Sequence, residues 1–271
     1  FSVGTTPWID YADPCVLKPG ADNTVTIFGR NLPGGAPSGV VLDGRPIDKL
    51  VVTIKAPSGP GTGLLESPLR PSDASADLVT WRLPGSNAIR FALGDEPLLS
   101  EVDDNNVADK AQGVTSPVQI SGRFGARGDR DWVRFEAKKG EKLWIEVVSQ
   151  RLGHPVDPQL VIQQISKNEK GEISGKDIVD SDDQAQPMPA MGGNMEKRYR
   201  AQPEDPAALF TAPADGAYRV LVRDLFASSQ GDPRFSYRLV IRPARPDYRL
   251  VAFPLETIPT EAKLNPVTCI L

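Results

Sequence analysis

The sequence predicts an all-β protein made of two β-sandwich domains. Short stretches that alternate apolar and polar residues recur along the chain, and no segment keeps a helical apolar period for ten positions. The 24 glycines and 26 prolines indicate many turns between short strands. With 271 residues, of which 39% are hydrophobic, the chain is long enough for two buried cores. We therefore expect one sandwich at 1–96 and a second at 97–246.

The first domain is predicted from five strand-like segments. Asn23–Leu32 alternates until Gly29 breaks the pattern, and Gly39–Pro46 runs into an Asp-Gly turn. Lys49–Pro57 ends at its proline, and Leu78–Gly94 contains two strands joined by a Pro-Gly-Ser-Asn turn. Short strands with frequent turns are typical of a β-sandwich.

The second domain is also predicted from strands and turns. Its strand-like segments are Pro117–Phe124, Asp131–Gln150, Pro158–Ile165, Gly216–Leu225 and Phe235–Pro243. Alternation assigns an inner face to Val133, Phe135, Leu143, Ile145, Val147, Tyr218, Val220, Val222, Tyr237, Leu239 and Ile241. We expect these side chains to form the core of the second sandwich.

Less regular segments complete the predicted organisation. Residues 166–205 are polar and predict a long insertion, and the proline-rich Arg242–Leu250 predicts a stiff linker. Residues 247–271 would then begin a further, truncated domain. Because the chain starts at Phe1 rather than Met and stops within an apolar run, we interpret it as a piece of a longer, processed protein.

Composition restricts the partners of this chain. A formal net charge of −4 lacks the basic excess of a nucleic-acid-binding protein. No apolar run reaches the roughly 18 residues of a membrane span. Cys15 and Cys269 lie in different predicted parts of the chain, so they allow one disulfide bridge without implying it.

The residues that carry catalysis in other proteins do not form a recognisable set. His154 is the only histidine, so an ordinary triad or zinc site cannot be assembled around it. Asp182 and Asp183 are adjacent, and on a strand they would point to opposite faces. No nucleophile–base pair stands out, and we expect no enzyme activity.

The segment Glu101–Asn106 concentrates three carboxylates and two amides in six positions. Calcium binds six to eight oxygens of this kind. Two carboxylates about 4 Å apart near a protein surface repel by roughly 4 kcal/mol unless a cation separates them. The segment is therefore either a metal site or a solvated linker whose acidic groups never meet.

Two tryptophans are candidates for surface binding. If Val133 and Ile145 face the core, then Trp132 and Trp144 face away from it. Such aromatic rings stack on sugars or pack against a partner protein, or they are covered by the insertion or by the first domain. The Arg-Gly-Asp tripeptide at 127–129 recurs by chance in proteins, and we do not expect it to mediate adhesion.

Five stretches, in order, resemble the bacterial pre-peptidase C-terminal domain, and they are Glu101–Gln112, Ile120–Glu141, Ser149–Ile162, Phe210–Leu225 and Phe235–Arg242. The likeness covers 98–243 and is similar to versions found in large secreted planctomycete proteins. Residues 19–46 more loosely resemble immunoglobulin-like or TIG-like modules. The resemblance implies an Ig-like sandwich followed by a jelly-roll-like sandwich, located outside the cell and without catalytic residues.

The same resemblance implies a calcium site. The family's run reads Glu-x-Glu-Pro-Asn-Asp, with further acids from a Gly-Asp-x-Asp turn, and the matching residues are Glu101, Asp103, Asn105, Asn106, Asp129 and Asp131. Asp103 is shorter than the usual Glu, Asp104 stands in place of the stiffening Pro, and Asn106 is uncharged. Each departure weakens the site, so calcium is a hypothesis that this sequence leaves open.

The function expected from the sequence is that of a non-catalytic accessory module in a secreted or cell-surface multidomain protein. It would be located in the extracellular space, on the cell surface or in the periplasm. Attachment, spacing or protein–protein contact are its expected roles, with other domains of the same polypeptide, an extracellular protein or a polysaccharide as partner. The alternative is a structural link in a surface or envelope assembly.

Overall fold

The computed structural model describes residues 4–59, 77–167, 173–182 and 205–245, and the backbone of two short strands at 251–252 and 269–270. Regular structure within these ranges consists of β-strands and two 3₁₀ helices of three residues each. The prediction of an all-β protein is therefore confirmed. The described ranges contain no helix with the length and apolar character needed to cross a membrane.

The first sandwich combines a four-stranded sheet with a three-stranded sheet. Its strands are β1 (Trp8–Asp13), β2 (Val16–Leu17), β3 (Asp22–Arg30), β4 (Ala36–Leu42), β5 (Arg45–Lys55), β6 (Leu78–Trp81) and β7 (Ile89–Leu93). The sheet orders are β1-β3-β5-β4 and β2-β7-β6. Val25 and Ile27 of β3 and Phe91 of β7 are buried in one core between these sheets. All five strands predicted here are present.

The second sandwich combines two five-stranded sheets. Its strands are β8 (Leu98–Ser100), β9 (Gln112–Gly113), β10 (Val118–Arg123), β11 (Asp131–Ala137), β12 (Lys142–Val148), β13 (Pro158–Lys167), β14 (Ile173–Ser181), β15 (Ala207–Thr211), β16 (Gly216–Asp224) and β17 (Ser236–Pro243). The sheet orders are β15-β12-β17-β10-β8 and β14-β13-β16-β11-β9. Every side chain predicted to face inward lies in the core between them.

The segment between β8 and β9 connects the two sheets at one edge of the second sandwich. β8 pairs in parallel with β10 of one sheet, and β9 pairs in parallel with β11 of the other. Residues 101–111, called the crossing segment below, therefore pass from sheet to sheet. This path brings the acidic run beside the ends of β10 and β11.

The predicted insertion at 166–205 is partly wrong. β13 continues to Lys167, and Ile173–Ser181 is strand β14, which pairs with β13 along its length. Asp205 is fully buried and accepts hydrogen bonds from the backbone of Ser149 and Gln150 at 2.9 and 2.7 Å. Residues 183–204, with Asp183, lie outside the described residues.

The C-terminal prediction is only partly described. Arg242 and Pro243 end strand β17, although they were assigned to a linker. Of residues 247–271, the structure describes β18 (Val251–Ala252) and β19 (Cys269–Ile270), which pair antiparallel.

The two sandwiches share a buried contact, called the junction below. Six buried residues from both sandwiches form it, and they are Cys15, Val16, Leu78, Ala92, Val148 and Leu152. The Cys15 backbone N–H donates to Ser121 Oγ at 3.0 Å, and the Cys15 thiol donates to the Tyr237 carbonyl at 3.2 Å. Arg90 Nη1 also reaches across, to the Arg151 carbonyl at 3.0 Å. Cys15 is a free thiol, and burial raises its pKa to about 11.

Candidate functional site

Glu101 is held at the start of the crossing segment, against the end of β10. Its backbone N–H donates to the Ser121 carbonyl at 3.0 Å, and its Oε2 accepts from the Arg123 N–H at 2.8 Å. Gly122 lies between these two partners. A Cβ at Gly122 would collide with the Tyr237 ring and would lie 2.7 Å from Glu101 Oε2. The absence of a side chain at Gly122 thus lets the carboxyl group of Glu101 approach the sheet.

Asp131, the first residue of β11, is fully buried beside Glu101. Asn105 connects it to the crossing segment. With its amide nitrogen turned inward, Asn105 donates to the Val102 carbonyl at 2.9 Å and to Asp131 Oδ1 at 3.2 Å. The Asn105 carbonyl accepts from the Trp132 N–H at 3.0 Å. These bonds explain why Asn105 itself is only 1% exposed.

The electrostatics of this corner favour protonated acids. Burial, followed by the neighbouring Glu101 and Asp129 carboxyl groups, raises the pKa of Asp131 to about 10. Burial also raises the pKa of Glu101. The Tyr237 hydroxyl lies beside Asp131 but outside hydrogen-bonding geometry, and burial raises its pKa as well. Asp131 Oδ2 and the Tyr237 hydroxyl are buried without a hydrogen-bond partner among the described residues.

Asp129 belongs to a tight turn that precedes β11. Its Oδ2 accepts from the Ala126 N–H at 3.3 Å and its Oδ1 from the Arg130 N–H at 3.1 Å. The turn requires Gly128, whose φ of +80° is a conformation that favours glycine. Arg127 Nε donates to the Ser228 carbonyl at 2.5 Å, and Asp129 is 8% exposed, so the Arg-Gly-Asp tripeptide is tied into this turn.

The six predicted metal ligands are not all brought together. Glu101, Asn105, Asp129 and Asp131 converge, but Asp103 and Asn106 are exposed. Asn106 Oδ1 accepts from the Arg130 N–H at 3.3 Å. Within the described ranges, no group of three or more acidic, cysteine or histidine side chains has a geometry that could hold a metal ion. The arrangement on the page is a carboxyl pair, Glu101 and Asp131, in a buried polar corner.

Trp132 points away from the core, as expected, but it is covered. It is 9% exposed and packs with Val161 and Leu221, beneath Ala108 and Ala111 of the crossing segment. The Arg219 guanidinium lies 4.8 Å from its ring centroid. The expectation that the insertion or the first domain would cover this ring is therefore wrong, because the crossing segment does so.

Trp144 is half-buried on β12. Its Nε1 donates to Glu146 Oε2 at 3.1 Å, within the same strand. Part of the ring reaches solvent, so Trp144 keeps its place as a candidate surface-binding residue.

Sequence reasoning missed a cleft between the two sandwiches. Its volume is about 530 Å³, and its walls come from β1 and β7 on one side and from residues 152–155 and 234–236 on the other. Trp8, which is 51% exposed, and His154 both line it. Burial lowers the pKa of His154 to about 4. No local pattern marks Trp8, because its exposure depends on how the sandwiches are joined.

Comparisons with known proteins give two structural likenesses. One is the pre-peptidase C-terminal domain of a Bacillus anthracis collagenase, at 14% identity and a TM-score of 0.32, over 49% of this chain and 94% of that one. The other is CorA, described as a surface-associated copper-binding protein of Methylomicrobium album BG8, at 15% identity and a TM-score of 0.32, over 49% and 98%. No family model matches the chain. No curated protein matches it either. At these TM-scores the fold assignment rests on the strands and sheets described above.

Proposed function

We propose that this chain is a non-catalytic accessory module of a secreted or cell-surface multidomain protein, and that it attaches that protein to an extracellular partner. The observation that carries the proposal is the junction, because it fixes the two sandwiches together and leaves a solvent-open cleft between them. Charge pairs support the same contact, since Arg238 Nη2 lies 3.4 Å from Glu96 Oε2. The ordered resemblance to the pre-peptidase C-terminal domain supports an extracellular location.

Attachment is tested by co-sedimentation of the purified chain with insoluble material. Cellulose, chitin, bacterial cell-wall polysaccharide and fibrillar collagen are the four probes. Saturable binding to at least one of them, at salt concentrations that remove non-specific charge effects, is the expected result. A chain that stays in solution with all four is not an attachment module of the proposed kind.

The alternative is a structural link in a surface or envelope assembly. It is favoured by the outer edges of the second sandwich, where β14 and β15 each end a sheet and expose Ile173 and Leu209. Unpaired sheet edges with exposed apolar side chains pair readily with another chain. Sedimentation velocity separates the two functions: attachment predicts a monomer that binds a probe, and a structural link predicts concentration-dependent assembly without any probe.

We also propose that calcium binds at the corner formed by Glu101, Asn105, Asp129 and Asp131. Two carboxyl groups pressed together in a buried site favour either protonation or a divalent cation, and all four side chains offer oxygen atoms. Exposed Asp103 and Asn106 lie on the crossing segment, and a cation would draw them inward.

Calorimetric titration of calcium into chelator-treated protein tests this site. Saturable heat and a rise in melting temperature at millimolar calcium are expected, and Asp131→Asn should abolish both. Asp104→Asn is the matched control, because Asp104 is exposed and its carboxylate pairs with Lys110 at 2.8 Å. The absence of heat and of a melting shift in the wild-type chain would exclude calcium.

A further inference from the structure

The cleft between the sandwiches has the dimensions of a ligand site. Its volume of about 530 Å³ lies within the roughly 300–1,000 Å³ that is usual for such sites. Its walls are buried against the junction, so its shape depends on both sandwiches. Trp8 lies at the exposed end of the cleft, with 51% of its surface open to solvent. An indole ring in this position offers an apolar face on which a ligand ring can stack.

His154 gives the cleft a neutral polar group. Its backbone N–H contacts the Ser149 carbonyl at 3.5 Å, but within the described ranges its imidazole makes no hydrogen bond. Its ring lies 6.4 Å from that of Phe235. Because burial holds its pKa at about 4, the imidazole is neutral at physiological pH. A neutral imidazole offers one donor and one acceptor, which matches a hydroxyl group.

The charged groups around the cleft balance one another. Arg234 Nη1 lies 3.1 Å from Asp43 Oδ2 and 4.0 Å from Asp10 Oδ1, and its Nη2 pairs with Asp232. Arg30 Nε lies 3.5 Å from Asp10 Oδ2. Since these guanidinium groups already face carboxylates, the cleft offers no net charge that would favour an ionic ligand.

The edge of β1 is closed to an extended peptide at the cleft. Asn87 Oδ1 accepts from the Ile9 N–H at 2.7 Å, and Asn87 Nδ2 donates to the Ile9 carbonyl at 2.9 Å. The side-chain amide thus occupies both backbone groups that an added strand would use. The register of β1 against β3 is also irregular between Ile9 and Tyr11. Strand addition is therefore disfavoured where Trp8 and His154 lie.

We propose that this cleft binds an uncharged glycan, with one sugar ring stacked on Trp8 and a sugar hydroxyl hydrogen-bonded to His154. A sugar ring combines an apolar face with hydroxyl groups that both donate and accept, so it matches the stacking surface and the neutral imidazole together. The inference rests on the proposed attachment function and names the class of ligand and its site.

The single histidine makes the test specific. The imidazole resonances of the whole chain come from His154 alone, so NMR reports on the cleft without assignment of other residues. The chain is titrated separately with cellohexaose, chitohexaose and xylohexaose, with an oligogalacturonate as the anionic probe and a collagen-like peptide as the protein probe. A saturable shift of the His154 resonances with at least one uncharged oligosaccharide is expected.

Variants then connect the shift to the cleft. Trp8→Ala should weaken binding of that oligosaccharide by about tenfold or more in calorimetry. Leu209→Ala is the matched control, since Leu209 is 61% exposed on β15, outside the cleft, and should leave the affinity unchanged. Near-ultraviolet circular dichroism of each variant checks that the fold is intact.

Each contrary result has a defined meaning. If the chain sediments with a polysaccharide but no oligosaccharide shifts His154, the attachment function stands and this site is wrong. If only oligogalacturonate or only the peptide shifts His154, the cleft is a site but the glycan class is wrong. If Trp8→Ala binds as tightly as the wild-type chain, the stacking role is wrong. If nothing binds in either experiment, both proposals are wrong.

Discussion

Two acidic side chains, Glu101 and Asp131, show how a single buried contact changes the behaviour of ordinary residues. Asp131 is 0% exposed, and its carboxyl group faces another carboxyl group instead of a cationic partner. Such a group prefers to be protonated in the folded chain, so folding without a cation should be easier at low pH. A divalent cation would reverse that preference, since it stabilises the ionised pair.

The first prediction concerns this pH dependence. In chelator, the stabilising effect of protonated Asp131 is full below its unfolded pKa of roughly 3.9 and is lost as pH rises toward its folded pKa of about 10. Asp131→Asn should therefore melt about 2–4 °C or more above the wild-type chain at pH 8, with a smaller difference at pH 5. Thermal unfolding by circular dichroism from pH 5 to 9 measures this. Asp104→Asn should follow the wild-type curve, and a pH-independent difference for Asp131→Asn would contradict the prediction.

The second prediction concerns Arg151, which is 2% exposed and sits between two carboxylates. Arg151 Nε donates to Asp205 Oδ2 at 2.9 Å, and its Nη2 pairs with Glu146 Oε1. Burial alone would raise the pKa of Glu146, but the Arg151 guanidinium lowers it below its ordinary value. Arg151→Met leaves two buried carboxylates without their cation and should cost about 3–5 kcal/mol in urea unfolding.

Arg134→Met is the control for this change. Arg134 forms an exposed pair with Glu136 at 3.0 Å, and loss of a surface pair costs about 0–1 kcal/mol. Equal losses for the two variants would show that the buried network is not a special source of stability.

At the level of elements, β10 shows how close backbone packing depends on one residue. Gly122 pairs with Tyr237 of β17, whose ring occupies the space that a Cβ at Gly122 would need. Both neighbours of Gly122 also hold Glu101 in place. This strand therefore positions the acidic corner as well as the core.

The third prediction follows from that packing. Gly122→Ala should destabilise the chain by about 1–3 kcal/mol, because the Tyr237 ring is fully buried and cannot move aside freely. Gly113→Ala on β9 is the matched control, since nothing lies within 4 Å of its added Cβ, and it should change stability by less than about 0.5 kcal/mol. Urea unfolding monitored by tryptophan fluorescence compares the two, and a neutral Gly122→Ala would mean that the contact is loose.

At the level of the whole molecule, the junction decides whether the sandwiches behave as one unit. It contains buried apolar side chains from both, and the backbone of Cys15 is bonded to Ser121 across it. A contact of this kind couples the unfolding of the two parts. Calorimetry of the wild-type chain should therefore show one cooperative transition.

The fourth prediction tests that coupling. Leu152→Ala removes a side chain that is 5% exposed within the junction, and it should cost about 2–5 kcal/mol and separate the single transition into two. Leu209→Ala, on an exposed edge, should keep one transition near the wild-type temperature. A single unshifted transition for Leu152→Ala would show that the junction does not couple the sandwiches.

The sequence by itself determined the strands and the inner face of the second sandwich. Residues such as Val133, Leu143 and Tyr237 were assigned correctly because strand alternation is local: each side chain's face follows from its neighbours. Strand β14 was missed for the same reason. It lies at a sheet edge with both faces largely exposed, so its sequence shows no alternation to detect.

Only the tertiary structure decided which polar residues meet. The pairing of Glu101 with Asp131 depends on the register of β10 with β17 and on the path of the crossing segment, and Asp103, two residues from Glu101, is left exposed. The cover over Trp132 and the cleft beside Trp8 and His154 arise in the same way. These features join residues far apart in the chain, and a local pattern carries no information about such distances.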